Sequence, residues 1–457
     1  MGFLDFLLFP LYVALFYFFF SARRKNIEDP VLKYYHKQSF WIKALAVIPF
    51  TLFNAYISMG DSFGLYYTEG TNIYKMILGD PSAHLKWLYM AGKDFDQSLL
   101  RNPLNQGYFR AENNYMVTRV VAMISFLSMG KYLITNLFFS MIAFTGVWRL
   151  FRFFYEEYPH LHKKLAIAIL YMPTFVFWSS GILKDPLCIS ALGWITYALY
   201  EAFYKKKNLL KNVIILAFFG YLLAVVKIYI LISYVPFFIL YLILKNVNLV
   251  KSKLLKWVLG PALIIGSMFA GQQVMKKFQE EIGTYASGDI SEQLHKQRSS
   301  YRADPDAGGG TSNFSLGVEF DGSMISLVKI APAAIIATFY RPFLWESRKL
   351  STLLSSLESM ALLFFTLSLL FKTGLGFFVR SILKDPAILY CILFSLLFGL
   401  FIGATTPNFG TLVRYKIPCV PFYLVALFLI QDRFRRLEKT KKDPANTGSV
   451  EVVPEII

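Results

Sequence analysis

The sequence predicts an all-α, polytopic membrane protein with about eleven spans. Three observations carry that expectation. The 457 residues are 56% hydrophobic and only 17% charged, where a soluble chain carries roughly a quarter charged residues. Several apolar runs approach or exceed the ~20 residues that cross a bilayer as a helix. The Lys and Arg gather in short blocks between those runs, as they do where they orient membrane helices.

The first run, FLDFLLFPLYVALFYFFFSA, has no basic region ahead of it and no small-residue cleavage site, so it reads as a retained span. Met1-Gly2 is not a lipidation start, because Phe6 stands where Ser or Thr is needed. Apolar periodicity and length then give spans at 3–21, 40–58, 132–154, 165–180, 186–204, 212–226, 228–244, 254–271, 352–371, 387–404 and 417–431. Basic blocks alternate with them: Arg23-Arg24-Lys25, Arg149 and Arg152 with Lys163-Lys164, Lys205-Lys206-Lys207, Lys251 and Lys253, Lys372 and Arg380, and the tail RFRRLEKTKK. With all six blocks in the cytoplasm, the amino terminus lies outside and the carboxyl tail inside. Residues 1–431 then form one helical bundle. Residues 432–457 form a basic cytoplasmic tail, partly disordered beyond Lys442.

Two long segments, about 59–131 and 272–351, fall on the outer face, and long external connections usually serve a function. The first contains YMVTRVVAMISFLSM, which reads as an interfacial helix. The second contains SSYRADPDAGGGTSNFS, whose Gly, Ser and Asp content reads as a mobile loop.

The net charge of +18 (47 basic less 29 acidic) belongs to the blocks between spans, where it meets anionic lipid; no nucleic-acid module is visible. Cys188, Cys391 and Cys419 lie in or beside apolar spans and suggest no disulfide framework. No zinc motif, phosphate loop or hydrolase elbow is present. His160 and His162 read as solvated residues of a cytoplasmic turn. The halves show no clear repeat of Gly/Pro-broken spans, which weighs against a transporter.

Charged residues at membrane depth are costly and usually functional. On this topology they collect on the outer side. Asp61 opens the first external segment in SMGDSFGLYYTEG, with Glu69, Glu112 and Arg119 further along. Lys184-Asp185 fills an outer turn, Lys227 another, FYRPFLWES supplies Arg341 and Glu346, and TTPNFGTLVRYKIP supplies Arg414 and Lys416. Each has a plainer reading. Asp61 is a helix cap or a solvated surface acid. Lys184-Asp185 before Pro186 is a helix start with Asp as cap, a view favoured by the second ILKDP at 382–386 on the cytoplasmic side. Lys227 snorkels to the headgroups, and Arg341 pairs with Glu346. Arg414 and Lys416 are interfacial anchors in the plainer reading, but they stand where the positive-inside rule disfavours cations, which points to an anionic ligand.

GDSFGLYY after an early span, the long first external segment, PTFVFWSSGILKDP at an outer turn, FYRPFLWES and NFGTLVRYKIPCVPF together resemble the GT-C superfamily of glycosyltransferases. Of the acidic pair usual in that group, Asp61 is the clear match, and this chain carries an extra amino-terminal span. The resemblance implies a bacterial inner-membrane enzyme whose active face is external. It would take a sugar from a polyprenyl-phosphate carrier and add it to a glycan, lipid or protein acceptor. Asp61 would be the catalytic base, or would hold a divalent cation such as Mg or Mn. Lys227, Arg341, Arg414 and Lys416 would bind the carrier phosphate, supported by Glu69, Glu112, Arg119, Lys184, Asp185 and Glu346. Two rivals stay open: an O-antigen-type polymerase or ligase, and a flippase for lipid-linked glycans.

Overall fold

The computed structural model describes residues 2–58, 60–105, 107–246, 314, 316–317, 324–347, 350–406 and 408–442. The expected span 254–271, the Gly-rich loop up to Asn313 and the tail beyond Lys442 lie outside the described residues. Among the described residues there is no strand. The helices are α1 (Phe3–Lys25), α2 (Pro30–Leu52), α3 (Thr68–Gly79), α4 (Pro81–His84), α5 (Glu112–Ser128), α6 (Tyr132–Glu157), α7 (His162–Ala166), α8 (Pro173–Trp178), α9 (Lys184–Leu199), α10 (Leu209–Lys245), α11 (Met324–Tyr340), α12 (Leu350–Thr373), α13 (Leu375–Lys384), α14 (Pro386–Thr405), α15 (Phe409–Tyr415) and α16 (Val420–Lys442).

Six helical segments are long and apolar enough to cross a membrane, and a seventh if α15 and α16, bent by 63°, form one span. The expected count of about eleven is therefore not reached among the described residues, for identifiable reasons. The segment expected at 165–180 is broken into α7, a π-turn (Ile167–Tyr171) and α8, interrupted at Pro173. The one expected at 186–204 is the 16-residue α9 followed by a second π-turn, Tyr200–Tyr204. The two expected at 212–226 and 228–244 run on as α10 and so count as one of the six, although its 37 residues leave helical dihedrals at Lys227 (φ −155°, ψ 76°).

That one residue reverses the chain. A straight 37-residue helix would be about 55 Å long. Yet Lys205, just before α10, ion-pairs with Glu156, and Lys245 at its far end ion-pairs with the adjacent Glu157. Lys227 meanwhile pairs with Asp185 at the opposite end of α9. The two arms therefore run between the same two levels of the bundle, each about 27 Å long. Trp194 of α9 stacks on Phe219 of one arm (5.5 Å), and Thr196 bonds the Tyr234 hydroxyl of the other (2.7 Å).

Caps and small residues set the remaining geometry. Asp29 accepts hydrogen bonds from the Val31 and Leu32 N–H groups (2.7 and 3.3 Å) and starts α2, with Pro30 in the first turn. Asp385 starts α14 in the same way through Ala387 and Ile388. α6 and α9 touch backbone to backbone. A Cβ on Gly193 would stand 1.9 Å from the Gly146 carbonyl oxygen, so neither position tolerates a side chain. Aromatic rings fill the interior between α9, the second arm of α10, α14 and α16, with Tyr234, Tyr390, Phe394 and Phe422 at its centre.

The first long connection folds into its own layer. α3 packs on α5 over Tyr66, Ile73, Trp87, Phe109, Tyr115 and Val121. The helix expected at 115–129 is α5. Its N-terminal two-thirds is buried against α3, and Met123, Phe126, Leu127 and Met129 at its C-terminal end are exposed. The Tyr12 hydroxyl of α1 donates to the Leu127 carbonyl (2.6 Å), which ties this apolar end to a membrane helix.

Candidate functional site

α2 continues through a π-turn (Phe53–Ser58), and Asp61 opens a second one (Asp61–Tyr67). π-turns inside helices recur at functional positions. This one is pinned from below: Ser62, fully buried, bonds the Tyr132 hydroxyl of α6 (2.8 Å), and Asn105 donates to the Gly64 carbonyl (3.1 Å). Ser62 thus turns inward, and Asp61 is left at the rim.

Arg414 reaches Asp61 from the last turn of α15, where a cation also suits the helix dipole. Asn408 caps that helix through the Gly410 and Thr411 N–H groups. The guanidinium is shared. Nη1 donates to Asp61 Oδ2 (3.0 Å) and Nε to Asp185 Oδ2 (2.6 Å). Asp185 Oδ1 accepts from Lys227 Nζ (2.6 Å). Four charges thus run in line, Asp61–Arg414–Asp185–Lys227, and cancel. Asp185 is fully buried and the Lys227 side chain is 5% exposed, while the Asp61 side chain is 47% exposed. Oδ1 of Asp61 carries no hydrogen bond among the described residues. The line leads from a buried interior to one open carboxylate.

Tyrosines flank the row of charges. The Tyr415 ring lies 4.5 Å from Lys227 Nζ and 5.6 Å from the Arg414 guanidinium carbon. Burial and the nearby Asp61 charge push the Tyr66 and Tyr108 phenols up, so both stay neutral. Tyr66 donates to Asn114 Oδ1 (3.2 Å).

The remaining predicted residues fall into two other places. Arg341 pairs with Glu346, its Nε 3.0 and 3.1 Å from the two carboxylate oxygens, and lies over the stacked rings of Phe314 and Phe409. Lys416 is buried and donates to the Arg341 carbonyl (3.2 Å) and Ser359 Oγ (2.8 Å), which fixes the α15–α16 bend against α12. In the outer layer, Glu69 is 1% exposed. It accepts from the Arg101 and Asn102 N–H groups and the Asn105 amide, all at 2.9 Å. Glu112 accepts from the Gly92 N–H (2.6 Å) and pairs with Arg119 (3.0 Å), which donates to the Met90 carbonyl (2.6 Å). These three residues hold a loop layer in shape. The capping reading of ILKDP holds for Asp385 alone. Asp185 makes no cap bond at α9 and is the counter-ion of two cations, with Lys184 beside it half-buried.

Some ionisable residues inside apolar runs were not among the sequence candidates, and two of them hold α8. Lys43, in WIKALAVIPF, is buried and donates to the Ser179 Oγ (2.8 Å), the Ser180 Oγ (3.0 Å) and the Ser179 carbonyl, at the C-terminal end of α8. Glu358, in SSLESMALLF, accepts from the Thr174 N–H (3.0 Å) and hydroxyl (2.5 Å), at the N-terminal end of α8. A six-residue helix is thus held between a carboxylate and an ammonium, each at the end its dipole favours. Their signal was present: a lone charge within a span.

Among the described residues, no three His, Cys, Asp or Glu side chains gather to hold a metal ion. Around Asp61 the second charged group is a cation, so a divalent ion there would have a single carboxylate ligand. These features define an all-α, membrane-embedded, multi-pass protein with a charged rim at one end. Comparisons with protein-family models, curated proteins and solved structures return no match.

Proposed function

We propose that the protein is an integral-membrane glycosyltransferase that moves a sugar from a polyprenyl-phosphate carrier to an envelope glycan, lipid or protein. One observation carries the reading: a half-exposed carboxylate stands at the mouth of a membrane bundle, oriented by an arginine that a second, buried carboxylate holds in place. In this reading Asp61 takes the proton of the acceptor hydroxyl as that oxygen forms its bond to the anomeric carbon. The bond from that carbon to the carrier phosphate breaks, and the phosphate leaves with the electron pair. Arg414, held by Asp185 through Nε and paired with Asp61 through Nη1, stands beside the base and sets its positive charge against the charge that develops on the phosphate. Tyr108 and Tyr415 would offer ring faces to the sugar. No step is routed through a metal ion.

The topology of this proposal has about eleven crossings in a bacterial inner membrane, with the amino terminus and the Asp61 rim outside. A flippase needs a charged path through the bilayer, whereas the Asp61–Lys227 line and the Arg341–Glu346 pair gather near one end. A polymerase or ligase would need the cations but not Asp61 as base. The test is transfer from a polyprenyl-phosphate-linked radiolabelled hexose by purified protein. Asp61→Asn should lower turnover by ~10²-fold or more. Because Asp61 is half-exposed, stability should change by less than about 1 kcal/mol. Full turnover from the folded variant would remove the base from this account and favour the ligase.

A further inference from the structure

We infer that the cleft on the basic side of α2 is a binding site for the headgroup of an anionic phospholipid. The cleft has a volume of about 530 Å³ and is lined by Tyr34, Lys37, Gln38, Trp41, Ile42 and Tyr171. All but Tyr171 recur along one face of α2, at helical spacing. Its position sets the chemistry. Tyr34, Lys37 and Gln38 belong to the polar start of the helix, and Trp41 and Ile42 to the first turn of its apolar run, so the cleft straddles the headgroup–acyl boundary.

The floor is ordered. The Tyr171 hydroxyl donates to Gln38 Oε1 (2.5 Å), and Gln38 Nε2 donates to the Tyr34 hydroxyl (2.6 Å). Lys37, by contrast, is exposed and has no hydrogen bond or ion pair among the described residues. Its ammonium stands at the lip of an aromatic slot with no acid among the described residues to meet it. The nearest acid by sequence on the same helix start, Asp29, is occupied by the α2 cap and the Tyr155 hydroxyl (2.5 Å). A second cation stands close by: Trp41 packs on Tyr17 (5.5 Å), whose ring carries the Arg24 guanidinium at 5.3 Å. An ammonium above and apolar walls below fit a phosphate with its acyl chain, and the positive surroundings select a net negative headgroup.

Trp41 reports occupancy. Full-length protein is reconstituted with acyl-brominated phosphatidylglycerol or acyl-brominated phosphatidylcholine, and the Trp41 signal is isolated as the difference between wild type and Trp41→Phe. Phosphatidylglycerol should quench at a mole fraction at least about 5-fold lower, a preference that a lysine at the surface can supply. Lys37→Gln should abolish that preference at an unchanged melting temperature, and Lys207→Gln should leave it intact. Millimolar inorganic phosphate should not compete. Equal quenching by the two lipids would overturn the site, as would a preference that survives Lys37→Gln. Full competition by phosphate would show a bare anion site and overturn the lipid.

Discussion

Asp185 and Lys227 are partners, but removing one is not equivalent to removing the other. Asp185 touches both buried cations, so Asp185→Asn leaves the Lys227 ammonium buried without a counter-ion and Arg414 with Asp61 alone. An uncompensated buried charge costs about 3–5 kcal/mol, and that is the loss expected here. Lys227→Met leaves Asp185 still paired with Arg414, so its cost should be less than half as large. The double variant Asp185→Asn/Lys227→Met should recover part of the loss, because no unpaired lysine remains. Unfolding of the purified variants in one detergent ranks the three. Equal losses for the two single variants would mean that Asp185 does not hold both cations. Much of this site was legible: Asp61, Lys227, Asp185 and Arg414 were all candidates, since a charge inside or beside an apolar run stands out. The pairing was not legible, because positions 61, 185, 227 and 414 meet only after four helices are in place. The resemblance also implied that Lys227, Arg341 and Lys416 join Arg414 at one phosphate, whereas Lys416 donates to the backbone carbonyl of Arg341.

At the scale of elements, α10 is the sharpest case. Its apolar run is long enough to be one steep helix, and Lys227 alone marks the reversal. A lysine in the middle of such a run has a reason to sit at a turn, where Asp185 meets it, and that made two short spans the expected reading. Cysteines at Lys207 and Asn246 test it, since the three native cysteines are buried. Both should react with a membrane-impermeant thiol reagent from the same face. Reaction from opposite faces would mean that α10 crosses straight. The contact between α6 and α9 gives a second test. Gly193→Val drives a side chain into the Gly146 carbonyl, where only backbone can yield. Overpacking costs typically 1–3 kcal/mol, and more where nothing flexible can move, so recovery of folded protein should fall sharply while Gly220→Val, with open space around it, should be tolerated. Equal recovery would show that the two helices separate at little cost. The broken stretch 165–180 was less legible, because π-turns leave no compositional trace and apolar content alone reads as one span.

At the scale of the whole molecule, the charged features are sorted between two ends. The Asp61 rim and the layer of α3 and α5 stand at one end. The other holds Lys205 and Lys245 on Glu156 and Glu157, and His160 against Asp432 and Arg436. The acids at that second end are matched by lysines and arginines in excess, including Lys206, Lys207 and the basic last turns of α16. Positive charge resists translocation, so the second end is expected in the cytoplasm and the rim outside. The donor lipid of the proposed reaction has to present its phosphate at the rim, which makes orientation the condition on which the enzyme reading rests. Arg110 lies exposed in the outer layer and Lys439 exposed on α16, far along the opposite end. Single cysteines at those two positions, in intact cells, should divide cleanly. Arg110→Cys should label with an impermeant reagent, and Lys439→Cys should label only after the membrane is opened. The reverse pattern would place Asp61 on the side of soluble nucleotide sugars and remove the need for a lipid carrier. Labelling of both in intact cells would mean that the basic end does not face the cytoplasm, and the charge rule would fail for this chain.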